Sequence, residues 1–182
     1  MEPTFQIESG AFFLLAMGIL VLPLDWLFAA LLAAAVHELS HYLIARLLGA
    51  RCLSFRIGMG GAVMEFTEMG RWEELLAAAA GPAGSFLLLV FVSYYPQLAV
   101  CGLVQGAFNL LPVWPLDGGR IAVCLLGEWA KILKWGTLLL LLGLGICAGR
   151  LFGISPFLMI TILAIKAFLR KIPCKAAIIG VQ

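Results

Sequence analysis

The sequence predicts an all-α membrane protein with about six transmembrane helices, a discontinuous fourth helix and a short strand-like or re-entrant segment after the second helix. Three observations predict this class: an apolar composition, several apolar runs of membrane-spanning length, and one such run broken by prolines. Of the 182 residues, 63% are hydrophobic and 12% are charged. An average soluble domain is about half apolar and about a quarter charged, so this composition favours lipid as the solvent.

Six apolar runs are long enough, or nearly long enough, to cross a bilayer as helices. A transmembrane helix needs about 17–25 residues, and the first and fifth runs are slightly shorter. The predicted spans are Gly10–Leu24, Trp26–Leu48, Trp72–Tyr95, Leu98–Trp129, Trp135–Gly149 and Leu151–Leu169. Since residues 1–9 contain no lysine or arginine, we expect a retained first helix and not a cleaved signal peptide. We expect residues 1–182 to form a single polytopic membrane domain.

The basic residues predict how the spans are oriented. If the N-terminus is cytoplasmic, 11 of the 12 lysine and arginine residues lie at cytoplasmic ends and loops, and Arg150 is the exception. Such a bias favours a cytoplasmic location for both termini. Because these residues act as topology anchors, we expect the lipid bilayer as a partner and no nucleic acid.

The segment between the second and third spans, Gly49–Arg71, has a strand-like pattern. Partial alternation is followed by Gly58–Phe66, which combines glycines with β-prone residues. This predicts one or two strands around a flexible turn. The segment is either a hairpin at the membrane surface or a re-entrant element. In a re-entrant element, protein or a water-filled cavity must supply hydrogen-bond partners for the backbone.

The third span contains a run of small residues, Ala77–Ser85, around Pro82. Small residues let membrane helices approach each other closely. We expect this run to pack against the equally small stretch Ala29–Ala35 of the second span.

The fourth span is interrupted within Asn109–Arg120. Pro112 and Pro115 remove backbone donors and clash with a helix, and Gly118 and Gly119 allow the chain to turn. Because unwound backbone is costly in lipid, a discontinuous membrane helix usually marks a binding site.

The two histidines of the chain both lie in His37-Glu38-Leu39-Ser40-His41. Positions i and i+4 share one face of a helix, so the two imidazoles can hold one zinc ion, while the adjacent Glu38 can reach a water molecule at the metal and act as general base. The alternative is a pair of hydrogen-bonded core histidines with a helix-stabilising glutamate. That alternative is disfavoured because ionisable groups inside a membrane are costly and are functional by default.

A hydrolytic zinc site needs three protein ligands, so two histidines leave it incomplete. Most other acidic residues lie near a membrane surface: Asp25, Glu65, Glu68, Glu73, Glu74 and Glu128. Asp117 remains, in the unwound segment. His37 is 11 residues from Trp26, and Asn109 is 11 residues from Leu98, which places both about 16 Å into the membrane. Asp117 is therefore the predicted third ligand, and a solvated turn residue is the alternative.

Two further side chains of the break have candidate roles. Asn109 could donate to a developing oxyanion, or it could hydrogen-bond the unwound backbone, and the sequence leaves both open. We expect Arg120 to snorkel or to pair with a carboxylate rather than to act in chemistry. The five cysteines form no CxxC pair. We expect Cys52 and Cys174 to face the cytoplasm as reduced thiols, and the three cysteines inside spans to pack as small apolar residues.

The two motifs together resemble the site-2 protease family of intramembrane zinc metalloproteases. NLLPVWPLDGG at Asn109–Gly119 is similar to the family pattern N-x-x-P-x-P-x-x-D-G, and His37–His41 is similar to its HExxH element. Gly81-Pro82 resembles the third-helix motif, in which an asparagine often follows where this chain has Ser85. With no room for an inserted PDZ domain, the chain is similar to the compact branch that processes sporulation sigma-factor precursors.

The resemblance implies a zinc metalloendopeptidase that holds one Zn²⁺ per chain and cleaves a substrate protein within or near a membrane segment. It also implies a bacterial cell membrane, a membrane-associated substrate such as a transcription-factor precursor, and an inhibitory or regulatory membrane protein. The competing hypothesis is a metal or proton transporter using the same side chains, which would need polar residues strung across several spans. A third hypothesis is a catalytically inactive membrane scaffold, and the intact Glu38 argues against it.

The charge bias generates a topology prediction. A reporter fused after Gln182 should be cytoplasmic and one inserted at Tyr95–Gln97 should be external, because 11 of the 12 basic residues then lie in the cytoplasm. Reporter activity in intact cells and in permeabilised cells measures both positions. An external C-terminus would contradict the number of spans as well as the orientation.

Overall fold

A computed structural model gives two compact units, Met1–Phe108 and Asn109–Gln182. The structure describes residues 4–58 and 61–108 in the first unit, and 109–113, 116–129 and isolated positions between 132 and 150 in the second. The sixth predicted span lies outside the described residues, and the fifth is represented by isolated helical positions. Trp114 and Pro115 of the predicted break are also outside the described part.

The first unit begins with two apolar helices joined by a short turn. Helix α1 covers Ser9–Val21 and α2 covers Leu24–Leu47. Helix α2 ends in a glycine cap: Gly49 has φ +89°, its N–H donates to the Arg46 carbonyl, and the Ala50 N–H donates to the Ala45 carbonyl, both at 3.0 Å. Such a left-handed cap satisfies the last helical carbonyls and turns the chain sharply, so the next segment starts beside the end of α2.

Helix α3 covers Arg71–Leu87 and continues as a 3-10 helix over Leu88–Phe91. The Glu73 carboxylate starts it by accepting the Gly70 N–H at 2.8 Å, and acidic side chains in a first turn also suit the helix dipole. Pro82 does not end the helix. Among the described residues, Leu24–Leu47 and Arg71–Phe91 are each long and apolar enough to cross a membrane, and Ser9–Val21 is a shorter apolar helix.

A three-stranded sheet corrects the predicted all-α class. Strands β2, Cys52–Gly58, and β3, Gly61–Phe66, form the antiparallel hairpin that the sequence predicted after the second helix. Strand β1, Thr4–Ile7, was not predicted, and it pairs in parallel with β2 to give the order β1-β2-β3. Parallel strands need a long connection, which the α1–α2 pair supplies.

Helices α2 and α3 pack against each other in a register that differs from the prediction. The small residues of α3 meet the later half of α2: the Ala77 methyl packs with Ala45, and Gly84 lies against Ser40. Ala29 and Ala33 instead pack with Leu88 and Leu98. The reason is the hairpin between the helices, which starts α3 beside the end of α2, so residues 77–85 reach only the second half of α2.

The fourth predicted span is broken, as expected. Helix α4 covers Pro96–Asn109, and in the second unit α5 covers Asp117–Leu126, followed by a 3-10 turn at Gly127–Trp129. Asp117 was expected within the unwound stretch, but it is the first residue of α5. An aspartate is stabilised there by the positive end of the helix dipole, which makes a helix start a favourable place for it.

Candidate metal centre

The two histidines of α2 lie side by side and buried. His37 is 2% exposed and His41 is 7% exposed. Their rings meet edge to face, with centroids 4.8 Å apart, and their Nε2 atoms are 3.2 Å apart. Two nitrogen ligands on a tetrahedral zinc ion, each about 2.0–2.1 Å from it, are about 3.3 Å apart. The imidazoles are therefore already spaced as a zinc site requires.

Helix α3 supplies a hydrogen-bond partner for the Nδ1 atom of each ring. His41 Nδ1 lies 2.7 Å from the Ala77 carbonyl oxygen, and His37 Nδ1 lies 2.8 Å from the Ser85 hydroxyl. Hydrogen-bonded partners on the outer ring nitrogen fix a ligand's orientation and increase its basicity. In both rings Nδ1 thus faces α3, and the two Nε2 atoms face each other.

Gly81 gives the His41 ring the space it occupies. A β-carbon built on Gly81 would lie 2.1 Å from His41 Nε2 and 2.4 Å from Cε1, far inside van der Waals contact. The imidazole therefore lies directly against the α3 backbone, and no other residue type fits at this position without moving the ring.

Asp117 begins α5 in a buried position, 7% exposed. The Leu116 carbonyl caps this helix by accepting the Gly119 and Arg120 N–H groups at 3.0 and 3.2 Å. Arg120, one turn on, has its guanidinium 4.0 Å from the Asp117 carboxylate, in agreement with the expected carboxylate partner. One arginine at that distance lowers the cost of keeping the carboxylate charged and buried.

Gly118 lets the broken segment fold back on the start of α5. A β-carbon at Gly118 would lie 2.0 Å from the Leu110 carbonyl oxygen and 2.6 Å from that of Leu111. The sequence predicted that glycines let the chain turn here, and in the structure the backbone of the broken segment lies against Gly118. The segment is further held by the Val113 N–H bonded to the Leu111 carbonyl at 2.7 Å.

The two remaining predicted site residues lie within α2 and at the end of α4. Glu38 follows His37 on α2 and is partly buried, with its side chain about 100° around the helix from the first histidine. Asn109 is the last residue of α4, immediately before the break, and is partly exposed.

His37 and His41 bring two buried nitrogen donors to one face of α2, and Asp117 is a buried carboxylate at the start of α5 in the second unit. Two neutral nitrogens and one carboxylate oxygen are the donor set of a catalytic zinc site. A soft thiolate, which would favour copper(I) or a cluster, is not part of this group.

Ala77, Gly81 and Ser85 on α3 were expected only as small packing or motif residues, and their contacts with the two histidines were not predicted. Their spacing of four residues repeats the spacing of His37 and His41. Residues at i and i+4 share one face of a helix. When two antiparallel helices pack through such faces, the residues of one face lie against those of the other. That repeated spacing is the signal that could have found them.

Comparisons with known proteins indicate a zinc metalloprotease-like chain. A model of peptidase family M50 matches residues 90–149, which include the break and Asp117. The zinc metalloprotease MJ0392 of Methanocaldococcus jannaschii is 31% identical over 116 residues, 56% of this chain and 34% of that protein. Rip3 of Mycobacterium tuberculosis, named as a candidate zinc metalloprotease, is 35% identical over 117 residues, 52% of this chain and 28% of that protein. The chain thus spans about a third of the length of these curated relatives.

A solved site-2 protease from Methanocaldococcus jannaschii has a similar fold. The TM-score is 0.62 at 21% identity, and the match covers 89% of each chain. The comparisons therefore confirm the resemblance: residues 90–149 match the model of peptidase family M50, and the fold is similar to that of the solved site-2 protease. Zinc is the metal that both the donor set and these relatives indicate.

Gly81→Ala tests the packing behind His41. The new methyl group cannot coexist with the imidazole, so we expect zinc affinity to fall by about tenfold or more, as for other losses of ligand support. Competition with a chelator measures the affinity of the purified protein. Gly136→Ala is the matched control, because a β-carbon there meets no atom within 4 Å. Wild-type affinity in Gly81→Ala would mean that His41 does not lie against α3.

Proposed function

We propose that this protein is a multi-pass intramembrane zinc metalloendopeptidase. The observation that carries the proposal is the buried pair of imidazoles on a helix of membrane-spanning length, with Nε2 atoms 3.2 Å apart and a glutamate beside the first. A membrane helix has no packing reason to bury two imidazoles and a carboxylate within five residues, because each is costly there.

The proposed ligands of one zinc ion per chain are His37, His41 and Asp117. Their donor chemistry and their burial support this set. A tetrahedral ion with three protein ligands keeps its fourth position for water or substrate. When bound, the ion supplies Lewis-acid chemistry: it lowers the pKa of a water molecule towards about 7 and polarises the scissile carbonyl.

Glu38 is the proposed general base. Its position next to His37 places the carboxylate near the metal without making it a ligand, as in the HExxH pattern. The carboxylate takes a proton from the attacking water and then delivers it to the leaving amine. Its partial burial keeps it within reach of the cytoplasmic water that hydrolysis consumes.

Asn109 is proposed to act at the start of the break. Its amide either donates to the oxyanion that develops on the substrate carbonyl or holds the unwound backbone in shape. Its place as the last residue of α4 supports both roles equally.

The sheet suggests how a substrate segment is presented. A transmembrane substrate hides its carbonyls in helical hydrogen bonds, so it must be extended before cleavage. Strand β3 is an edge of the three-stranded sheet, and its neighbour there is β2. An edge strand can bind an extended peptide by strand addition, so we propose β3 as the docking edge.

The proposed biological role is regulated intramembrane proteolysis in a bacterial cell membrane. The resemblance to the compact branch supports a transcription-factor precursor as substrate and a membrane protein as regulator. Strand β1 pairs with β2, and β2 begins shortly after the end of α2. This pairing supports the proposal that the N-terminal strand and the C-terminal end of α2 lie on the same, cytoplasmic side of the membrane. We further propose six spans in one domain, with both termini cytoplasmic.

Glu38→Gln separates chemistry from metal binding. Glutamine keeps the size and hydrogen-bonding reach of glutamate but cannot accept the proton, and general base catalysis contributes about 10²–10⁴-fold. We expect cleavage of a co-reconstituted single-span substrate to fall by at least that range, while zinc content stays near one per chain. Asp117→Ala is the contrasting variant, in which zinc content should fall together with cleavage.

The same preparations discriminate the competing functions. Full cleavage by Glu38→Gln would remove the proposed mechanism. Loss of zinc in Glu38→Gln would mean that Glu38 is a ligand. Ion flux through the wild-type protein in vesicles, without peptide-bond cleavage, would identify a transporter instead.

A further inference from the structure

One face of the three-stranded sheet is apolar. Side chains of paired residues project from the same face of a sheet, and the strand register groups these residues on one face: Phe5, Ile7, Phe55, Ile57, Ala62 and Met64. The rings of Phe5 and Phe55 stack with their centroids 5.5 Å apart. Phe66, the next residue on this face of β3, packs against Ala45 of α2 and Ala77 of α3. The apolar face is therefore directed towards the two helices at that end of the sheet.

The opposite face carries a charged network. Its residues are the alternate positions of the same strands: Thr4, Gln6, Ser54, Arg56, Val63 and Glu65. One oxygen of the Glu65 carboxylate accepts a hydrogen bond from the Ser54 hydroxyl at 2.9 Å, and the other pairs with the Arg56 guanidinium. The side chains of Arg56 and Glu65 are 43% and 53% exposed. Because a carboxylate has about four acceptor positions, Glu65 can accept a further donor from outside the sheet.

The two charges of this network lie at different distances from the edge of the sheet. Glu65 is on β3, which has β2 as its strand neighbour within the described part of the chain, whereas Arg56 is on the central strand β2. Neighbouring strands are about 4.7–4.9 Å apart. A segment added beside β3 therefore has Glu65 as its direct cross-strand neighbour, with Arg56 two strands away. The charge that this edge presents to an added strand is negative.

The alternation of the strand extends this selection to three positions. In a strand added to β3, the residue opposite Glu65 projects from the polar face, and its two neighbours in sequence project from the apolar face beside Met64 and Phe66. Opposite charges in a cross-strand pair stabilise it, and like charges directly opposite destabilise it. The edge thus favours an apolar–basic–apolar triplet over an apolar–acidic–apolar one.

We propose that Glu65 is a specificity-determining residue, through which β3 selects the cytoplasmic end of the substrate's membrane segment. The proposal rests on the proposed function, in which β3 docks an extended substrate. Lysine and arginine are concentrated at the cytoplasmic flanks of membrane helices, so the required triplet occurs where the apolar segment meets the cytoplasm. The uniformly apolar middle of a membrane segment offers Glu65 no partner.

Peptide binding to the full chain tests this selection. We use two fluorescent single-span peptides that differ in having lysine or glutamate at the centre of the triplet on the cytoplasmic flank. The protein carries Glu38→Gln to prevent cleavage and is held in discs of zwitterionic lipid. From the strength of cross-strand charge pairs, we expect the lysine peptide to bind about fivefold more tightly or better. Equal affinity of the two peptides would overturn the proposal.

Exchanging the two charges of the sheet assigns the preference to Glu65. The double variant Arg56→Glu/Glu65→Arg keeps an ion pair within the sheet and the net charge of the protein, but presents a positive charge at the edge. We expect the preference to reverse in favour of the glutamate peptide. Glu68→Lys is the control, because Glu68 lies in the loop between β3 and α3. We expect it to retain the preference for lysine to within about twofold. An unchanged preference in the double variant would contradict the role of Glu65.

A second variant covers the case in which the exchanged sheet does not fold. Glu65→Gln removes the charge and keeps the size of the side chain, so we expect the two peptides to bind with affinities within about twofold of each other. A full preference for lysine in Glu65→Gln would overturn the proposal.

Cleavage of the same two peptides by the wild-type protein separates this proposal from the proposed function. If neither peptide is cleaved although the lysine peptide binds more tightly, the protease fails and the selection by Glu65 stands. If both peptides are cleaved but bind equally well, the protease stands and the selection fails. Binding of neither peptide would contradict β3 as the docking edge, and the proposal with it.

Discussion

Two buried imidazoles with their Nε2 atoms 3.2 Å apart are the constraint on which the rest of the site depends. Each ring has an outer nitrogen that is also buried, and a buried polar atom without a partner costs about 1–3 kcal/mol. Helix α2 cannot supply those partners, because its own backbone groups are bonded within the helix. A second helix must approach closely enough for its carbonyl and hydroxyl groups to reach both rings.

That requirement explains the composition of α3. Only a row of small residues lets the two backbones approach as closely as the Gly81–His41 contact demands. Ala77 contributes its carbonyl, Gly81 contributes space and Ser85 contributes a hydroxyl, each one helical turn after the last. The run of small residues in the third span is thus part of the metal centre as well as a packing surface.

The sequence predicted the features that lie within a single element. His37 and His41 lie on one face because i and i+4 always do so in a helix, and the prolines of the fourth span predicted the break. Asp117 was predicted because the other acidic residues lie near a membrane surface. Its place at the start of α5 depends on where the helix resumes, and the prolines and glycines do not specify that position.

Features that depend on two distant segments could not be predicted. Strand β1 has four residues, and its partner lies about fifty residues away, so no local pattern identifies it. The register of α2 against α3 depends on the glycine cap at Gly49 and on the length of the hairpin. For that reason the sequence paired Ala77–Ser85 with the wrong half of α2, and the role of Ser85 behind His37 could not be inferred.

X-ray absorption at the zinc edge of the zinc-loaded protein tests the central claim most directly. We expect nitrogen and oxygen donors at about 2.0–2.1 Å, with the multiple-scattering pattern of two imidazoles. We expect no sulfur at about 2.3 Å, although the chain contains five cysteines. A zinc–sulfur distance, or a spectrum with one imidazole or none, would contradict the metal centre described for α2.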